Sequence, residues 1–217
     1  MIKPFIRNHD YNFIKKQAAF LKQTLRTAVD PKVLESVRYS TESNIMGRFP
    51  LADAHQQQLL KGISGLDTAD EFDRYLGQLQ PYVVEFPTVT AKQIQKLFPK
   101  NKKLKIPDLS AVSHRHTTYL SWLDISTNKM FLVHEMNGLI MGVEGRFIPS
   151  NKKSYCFLCN RHEELVFFSA VATKRPAKSS PDYYKAIGNY LCMNSMECNK
   201  NVTDLSALEK FMEAVTG

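Results

Sequence analysis

Apolar residues recur by threes and fours through the first 80 positions, then give way to short runs and alternation. Ile14, Ala18, Leu21, Leu25 and Ala28 share one helical face, from a start at His9 or Asp10. Lys15, Lys16, Lys22 and Arg26 fall largely off that face. Asp30-Pro31 predicts a second helix, with Asp30 as N-cap and Pro31 in the first helical position. Val33, Leu34, Val37 and Ile45 form its apolar side. A third helix fits Ala52 to Lys61, with Gly62 and Gly65 at its end. Thr68 with Glu71 makes a capping box for a fourth, carrying Phe72, Leu76 and Leu79 and stopped by Gln80-Pro81. Four short amphipathic helices predict a small antiparallel bundle over residues 1–80. It holds no acidic pair and no Glu-x-x-His motif, which favours a scaffold over catalysis.

After Pro81 the pattern changes. Residues 82–87 read as extended, and Thr90 with Gln93 starts a short helix carrying Ile94, Leu97 and Phe98. From His116 the pattern is β. One strand covers Tyr119, Leu120, Trp122, Leu123 and Ile125, a second Lys129 to His134, and a third Leu139 to Val143. Asn137-Gly138 supplies the hairpin turn, which requires positive φ. Leu165 to Phe168 is a further strand, and Thr173 to Pro181 a loop rich in Lys, Pro and Ser. Thr203 or Asp204 caps a last helix with Leu205, Leu208, Met212 and Val215 inward and Phe211 beside that face. Trp122 reads as core, and His114, His116 and His134 have no nucleophile or carboxylate arranged around them.

The chemistry lies in four cysteines, the only ones in the chain. Cys156-Phe-Leu-Cys159 is a Cys-x2-Cys knuckle, and Cys192 and Cys198 form a wider pair. Four thiolates suit a closed tetrahedral zinc site and leave no open position for catalysis, which disfavours a zinc hydrolase. The alternatives are unconnected thiols or two disulfides. The start, Met1-Ile2-Lys3-Pro4-Phe5, has no long apolar run, so a cytoplasmic chain is expected, and such chains rarely keep disulfides. His162 is a rival ligand, but four cysteines already complete the set. A knuckle, a hairpin and a closing helix around one ion resemble a treble-clef zinc finger, in which the ion supplements a small core.

The fold class expected is therefore α+β: an N-terminal helical (four-helix) bundle at residues 1–80, then a C-terminal α/β domain at 81–217 with a treble-clef-like four-cysteine zinc finger at about 154–217. No apolar run approaches the roughly 20 residues of a membrane span. The net charge of +8 predicts acidic partners: RNA, a ribosome or an acidic protein surface. Lys100-Asn-Lys-Lys-Leu-Lys105, with Lys174 and Lys178, motivates a second reading as an RNA- or ribosome-binding zinc protein.

The chain resembles, essentially end to end, the FusB-type fusidic acid resistance family of elongation factor G-binding proteins. The resemblance rests on Tyr82-Val83-Val84 followed by Phe86, on Lys102-Lys-Leu-Lys-Ile-Pro107, on Ser121-Trp122, and on Cys198-Asn199-Lys200 with Thr203-Asp204. It implies a non-enzymatic protein with a structural zinc that binds the C-terminal domains of elongation factor G; nothing in the sequence suggests an obligate oligomer, and a monomer is expected. It also implies release of that factor from the ribosome when fusidic acid has trapped it, which is protection of the drug target. The contact positions it implies are Tyr155, Tyr190 and Phe211. The family's lysine ahead of the second tyrosine falls on Ile187, and Lys185 is the nearest lysine and the candidate contact.

Overall fold

A computed structural model describes residues 2–174, 180 and 183–217. It divides into two compact units, residues 1–84 and 85–217.

The first unit is helical. Helix α1 runs Asn8–Thr27, α2 Pro31–Arg48, α3 Ala54–Lys61 and α4 Ala69–Leu79. Asp30 caps α2 by accepting from the Lys32 N–H, and Thr68 and Glu71 form the capping box of α4. Two boundaries differ from the pattern. Helix α1 starts at Asn8, after Arg7, which makes no side-chain cap. Helix α3 starts at Ala54 because Asp53 and Gln56 form a second capping box. On α2 the buried stripe is Leu34, Val37, Thr41 and Ile45, spaced three, four and four. Thr41 holds the core-facing place, and Val33 is exposed. Both ends of the unit are tied together: Phe5 and Ile6 donate to the Tyr82 carbonyl, and Val84 donates back to Ile6.

The second unit is built on one antiparallel sheet. Its strands are β1 (Tyr119–Asp124), β2 (Lys129–Met136), β3 (Leu139–Pro149), β6 (Leu165–Val171) and β7 (Ala186–Cys192), in that spatial order. A two-stranded ribbon, β4 (Ser154–Tyr155) with β5 (His162–Glu163), lies between β3 and β6 in the chain. Strand β1 ends at Asp124, whose carboxylate accepts from both the N–H and the hydroxyl of Ser126; Ile125 is therefore an exposed turn residue, not a strand residue. Strand β3 runs six residues further than the pattern predicts and pairs with β2 along one half and β6 along the other. Gly145 sits at that handover, where a Cβ would land on the Ser169 carbonyl.

Period-two alternation sorts the sheet's faces. Tyr119, Met130, Leu132, Val143 and Phe147 face one way, packed with Leu208, Phe211, Met212 and Val215 of helix α7 (Ser206–Thr216). Leu120, Trp122, Phe131, Val133 and Ile140 face the other, under residues 86–112 and their helix α5 (Ala91–Leu97). This second layer covers only part of its face. Further along it, Ile148, Phe167 and Tyr190 stand directly opposite one another on β3, β6 and β7, with Ile148 65% and Tyr190 46% exposed.

Candidate metal centre

Local backbone geometry brings the cysteines together from three places. Strands β4 and β5 form the stem of the knuckle. Cys156 donates its N–H to the Arg161 carbonyl, and Asn160 donates back to Cys156. The turn needs one left-handed residue, and Asn160 supplies it at φ 54°. The Leu158 N–H points at the Cys156 sulfur, 3.4 Å away. Cys192 is the last residue of β7. Cys198 lies on a short helix, α6 (Ser195–Asn199), which the sequence pattern does not announce and which Asn194 caps through the Met196 and Glu197 N–H groups.

All four sulfurs are buried and lie within 4.8 Å of one another. Cys156 and Cys198 are 3.8 Å apart, and Cys159 and Cys192 3.6 Å. Those separations exclude disulfides, whose sulfurs lie about 2.0 Å apart. The cluster can coordinate a metal ion. Crowding sets the thiols against each other. Hydrogen bonds from Cys159, Cys192 and Cys198 pull Cys156 far down, while Cys156 and Cys159 push Cys192 and Cys198 up. A bound dication reverses that opposition, because a coordinating thiol is deprotonated outright.

Two residues couple the cluster to the sheet, Tyr119 from a strand pattern and Asn199 from the motif after the fourth cysteine, and no sequence pattern states what either does. Tyr119 on β1 is fully buried against it; burial pushes its phenol well up, and the neighbouring Cys198 adds to this. Asn199, next to the fourth cysteine, is 3% exposed. Its side-chain oxygen accepts from the Thr118 and Tyr119 N–H groups at 2.8 and 3.2 Å, and its amide donates to the Tyr119 carbonyl at 2.8 Å. The amide thus completes the free edge of β1 as a neighbouring strand would.

The other predicted residues fall in different environments. Tyr155 is 63% exposed, against the ring of His162, which stands outside the cysteine cluster. Tyr190 lies against Phe167, and its carbonyl accepts from the Phe157 N–H of the knuckle. Lys185 is exposed just before β7, while Ile187 packs against the core. Phe211 is 4% exposed, wedged against Phe157 of the knuckle and Phe168, because the α7 stripe turns it into the sheet. Lys178 and part of the loop at 173–181 lie outside the described residues. The Nδ1 atoms of His114 and His134 sit at the carbonyls of Phe86 and Thr118, 3.0 and 2.8 Å away.

Comparison with known proteins bears on the whole chain. Residues 5–87 match the family model described as elongation factor G-binding protein, N-terminal. That match spans nearly the whole of the N-terminal unit. A solved structure of the fusidic acid resistance protein FusC superposes with a TM-score of 0.80, at 24% identity, over 97% of each chain. This chain therefore shares FusC's fold across both units, and the resemblance read from the sequence is borne out. A search of the curated proteins gives no match. No helix among the described residues is long and apolar enough to cross a membrane.

Proposed function

We propose that this chain is a member of the elongation factor G-binding family, a non-catalytic protein that grips the C-terminal domains of elongation factor G, promotes its release from the ribosome, and so protects translation from fusidic acid. The match of residues 5–87 to an elongation factor G-binding domain carries this reading, and the FusC-like fold supports it. The uncovered sheet face supplies a contact surface. Ile148, Phe167 and Tyr190 form an apolar row there, with Tyr155 and Lys185 exposed on the same unit. Rigid aromatic rings are the usual anchors of an interface. Phe211 serves from below, bracing Phe157 of the knuckle.

In this reading the N-terminal unit is a four-helix bundle, and the knuckle, β6–β7 and α6 frame a treble clef. Cys156, Cys159, Cys192 and Cys198 would hold zinc. A tetrahedron with 2.3 Å zinc–sulfur bonds has edges of about 3.8 Å, and the separations of 3.8 and 3.6 Å agree with it. Bound zinc supplies cross-linking alone, since all four places are taken by thiolates. Release of the factor follows if the protein binds better to a state of it that the ribosome holds less well, since a ligand shifts an equilibrium only through differential affinity.

The test is calorimetric titration of the metal-loaded chain into purified elongation factor G at moderate and high salt. Saturable one-to-one binding is expected, surviving high salt, and weakened about 30-fold by Tyr190→Ala, the scale of an interface hot spot. An absence of binding overturns the reading. Full affinity in Tyr155→Ala, Tyr190→Ala and Ile148→Ala alike removes the sheet face from it.

A further inference from the structure

Between Glu85 and Asp108 lie 22 residues with six lysines and no acidic residue. This tenth of the chain holds six of its eight net positive charges. The structure sorts the segment cleanly. Phe86, Val89, Ile94 and Phe98 are buried on the sheet, with Leu97, Leu104 and Ile106 packed beside them. Lys92, Lys96, Lys100, Lys102, Lys103 and Lys105 are all exposed.

The backbone that carries them is pinned. Thr90 and Gln93 box the start of α5. Asn101 donates to the Phe98 carbonyl, Leu104 donates to that of Asn101, and the Gln95 side chain donates to the same oxygen at 2.8 Å. The Asn101 side chain accepts from Lys129, 2.7 Å away, and donates to Glu144, which itself pairs with Lys129 at 3.0 Å. A turn flanked by Lys100 and Lys102 is thus fastened to β2 and β3 through its central residue.

We propose that this lysine shell is a docking surface for the sugar–phosphate backbone of structured RNA. Three observations favour RNA over an acidic protein. Lysine is depleted at protein–protein interfaces, whereas it is a standard point charge for phosphate. The six cations include no arginine, so the forked pairing that reads bases or grips carboxylates is missing; recognition is of charge and spacing, independent of sequence. Lys92 and Lys96 stand one turn apart on α5 and repel each other, a small cost that a phosphate between them would relieve; helix α4, by contrast, mixes Asp70, Glu71 and Asp73 with Arg74. The proposal goes beyond the elongation factor reading and stands apart from it, because its probe contains no protein.

The test follows binding of the full-length, metal-loaded chain to a fluorescent 20-base-pair RNA duplex by anisotropy. Six phosphate contacts predict an affinity loss of about 1000-fold between 50 and 200 mM salt. K100Q/K102Q/K103Q should lower the slope of log affinity against log salt by two to three. K16Q/K22Q/R26Q, which removes the same charge from α1, should lower it by less than one. Equal slopes for the two variants mark a diffuse charge effect and overturn the proposal. It is overturned as well if the first variant keeps its RNA slope and instead loses affinity for elongation factor G. Unchanged metal content and Trp122 fluorescence certify the fold of each variant.

Discussion

Asn199→Ala isolates the coupling between the cysteine cluster and the sheet. The substitution removes three hydrogen bonds at once, from the Thr118 and Tyr119 N–H groups and to the Tyr119 carbonyl. Thr118 and Tyr119 are buried, so the space vacated by one amide restores little water to them. Each buried backbone group that loses its partner costs about 1–3 kcal/mol, and three of them in one place sum to about 3–9 kcal/mol. For a unit of this size, each 1 kcal/mol moves Tm by about 3–5 °C. The C-terminal transition should therefore fall by at least about 10 °C. Scanning calorimetry of the metal-loaded chain reads it, with the transition of the helical unit as an internal reference. Chelator should also strip metal from the variant faster, because Cys198 sits on the helix that Asn199 anchors. A C-terminal Tm within about 3 °C of the parent would refute the reasoning: α6 would then be held by the metal alone.

Other outcomes follow from single sites. The Asp67 and Thr68 N–H groups hold the Glu71 carboxylate below its ordinary range. Its stabilisation is therefore present above the unfolded pKa of about 4.3 and lost as pH falls through the lower folded value. The Tm difference between the parent and Glu71→Gln should shrink as pH drops below about 4; an equal difference at pH 6 and pH 3 contradicts the assignment. Gly145→Ala should destabilise the second unit by about 1–3 kcal/mol, the usual cost of overpacking, since the added methyl meets the Ser169 backbone; denaturant unfolding reads the shift. His162→Ala should leave the metal-to-protein ratio unchanged by elemental analysis, because the ring lies outside the cluster.

The helical unit was legible where short-range chemistry decides it. Asp30-Pro31 and the Thr68–Glu71 box declare their helix starts in a few residues. Arg7 carries no capping side chain, and the Asp53–Gln56 box sets α3 two residues later than its apolar spacing suggests, so there the boundaries moved. The cysteine pairing was legible because ligand type and spacing carry it. What escaped was long-range. Strand β3 serves two partners, and nothing within Leu139–Pro149 says where one pairing ends and the next begins. Asn199 stands out in the Cys198-Asn199-Lys200 motif, but what it does appears only when β1, 80 positions earlier, arrives beside it. Phe211 has the helical spacing of a flank position, and only the rings of Phe157 and Phe168 decide that it turns inward.

The cysteines bracket the connection of the β6–β7 hairpin: Cys156 and Cys159 precede it in the chain, and Cys192, at the end of β7, and Cys198 follow it. A metal held by all four would bolt the two sides of that hairpin together independently of the peptide joining them. A single break in the peptide between β6 and β7 would then release nothing. The two fragments would travel as one particle through gel filtration and part in denaturing electrophoresis, while in native buffer the β6–β7 ladder and the ion would share the task of keeping them joined.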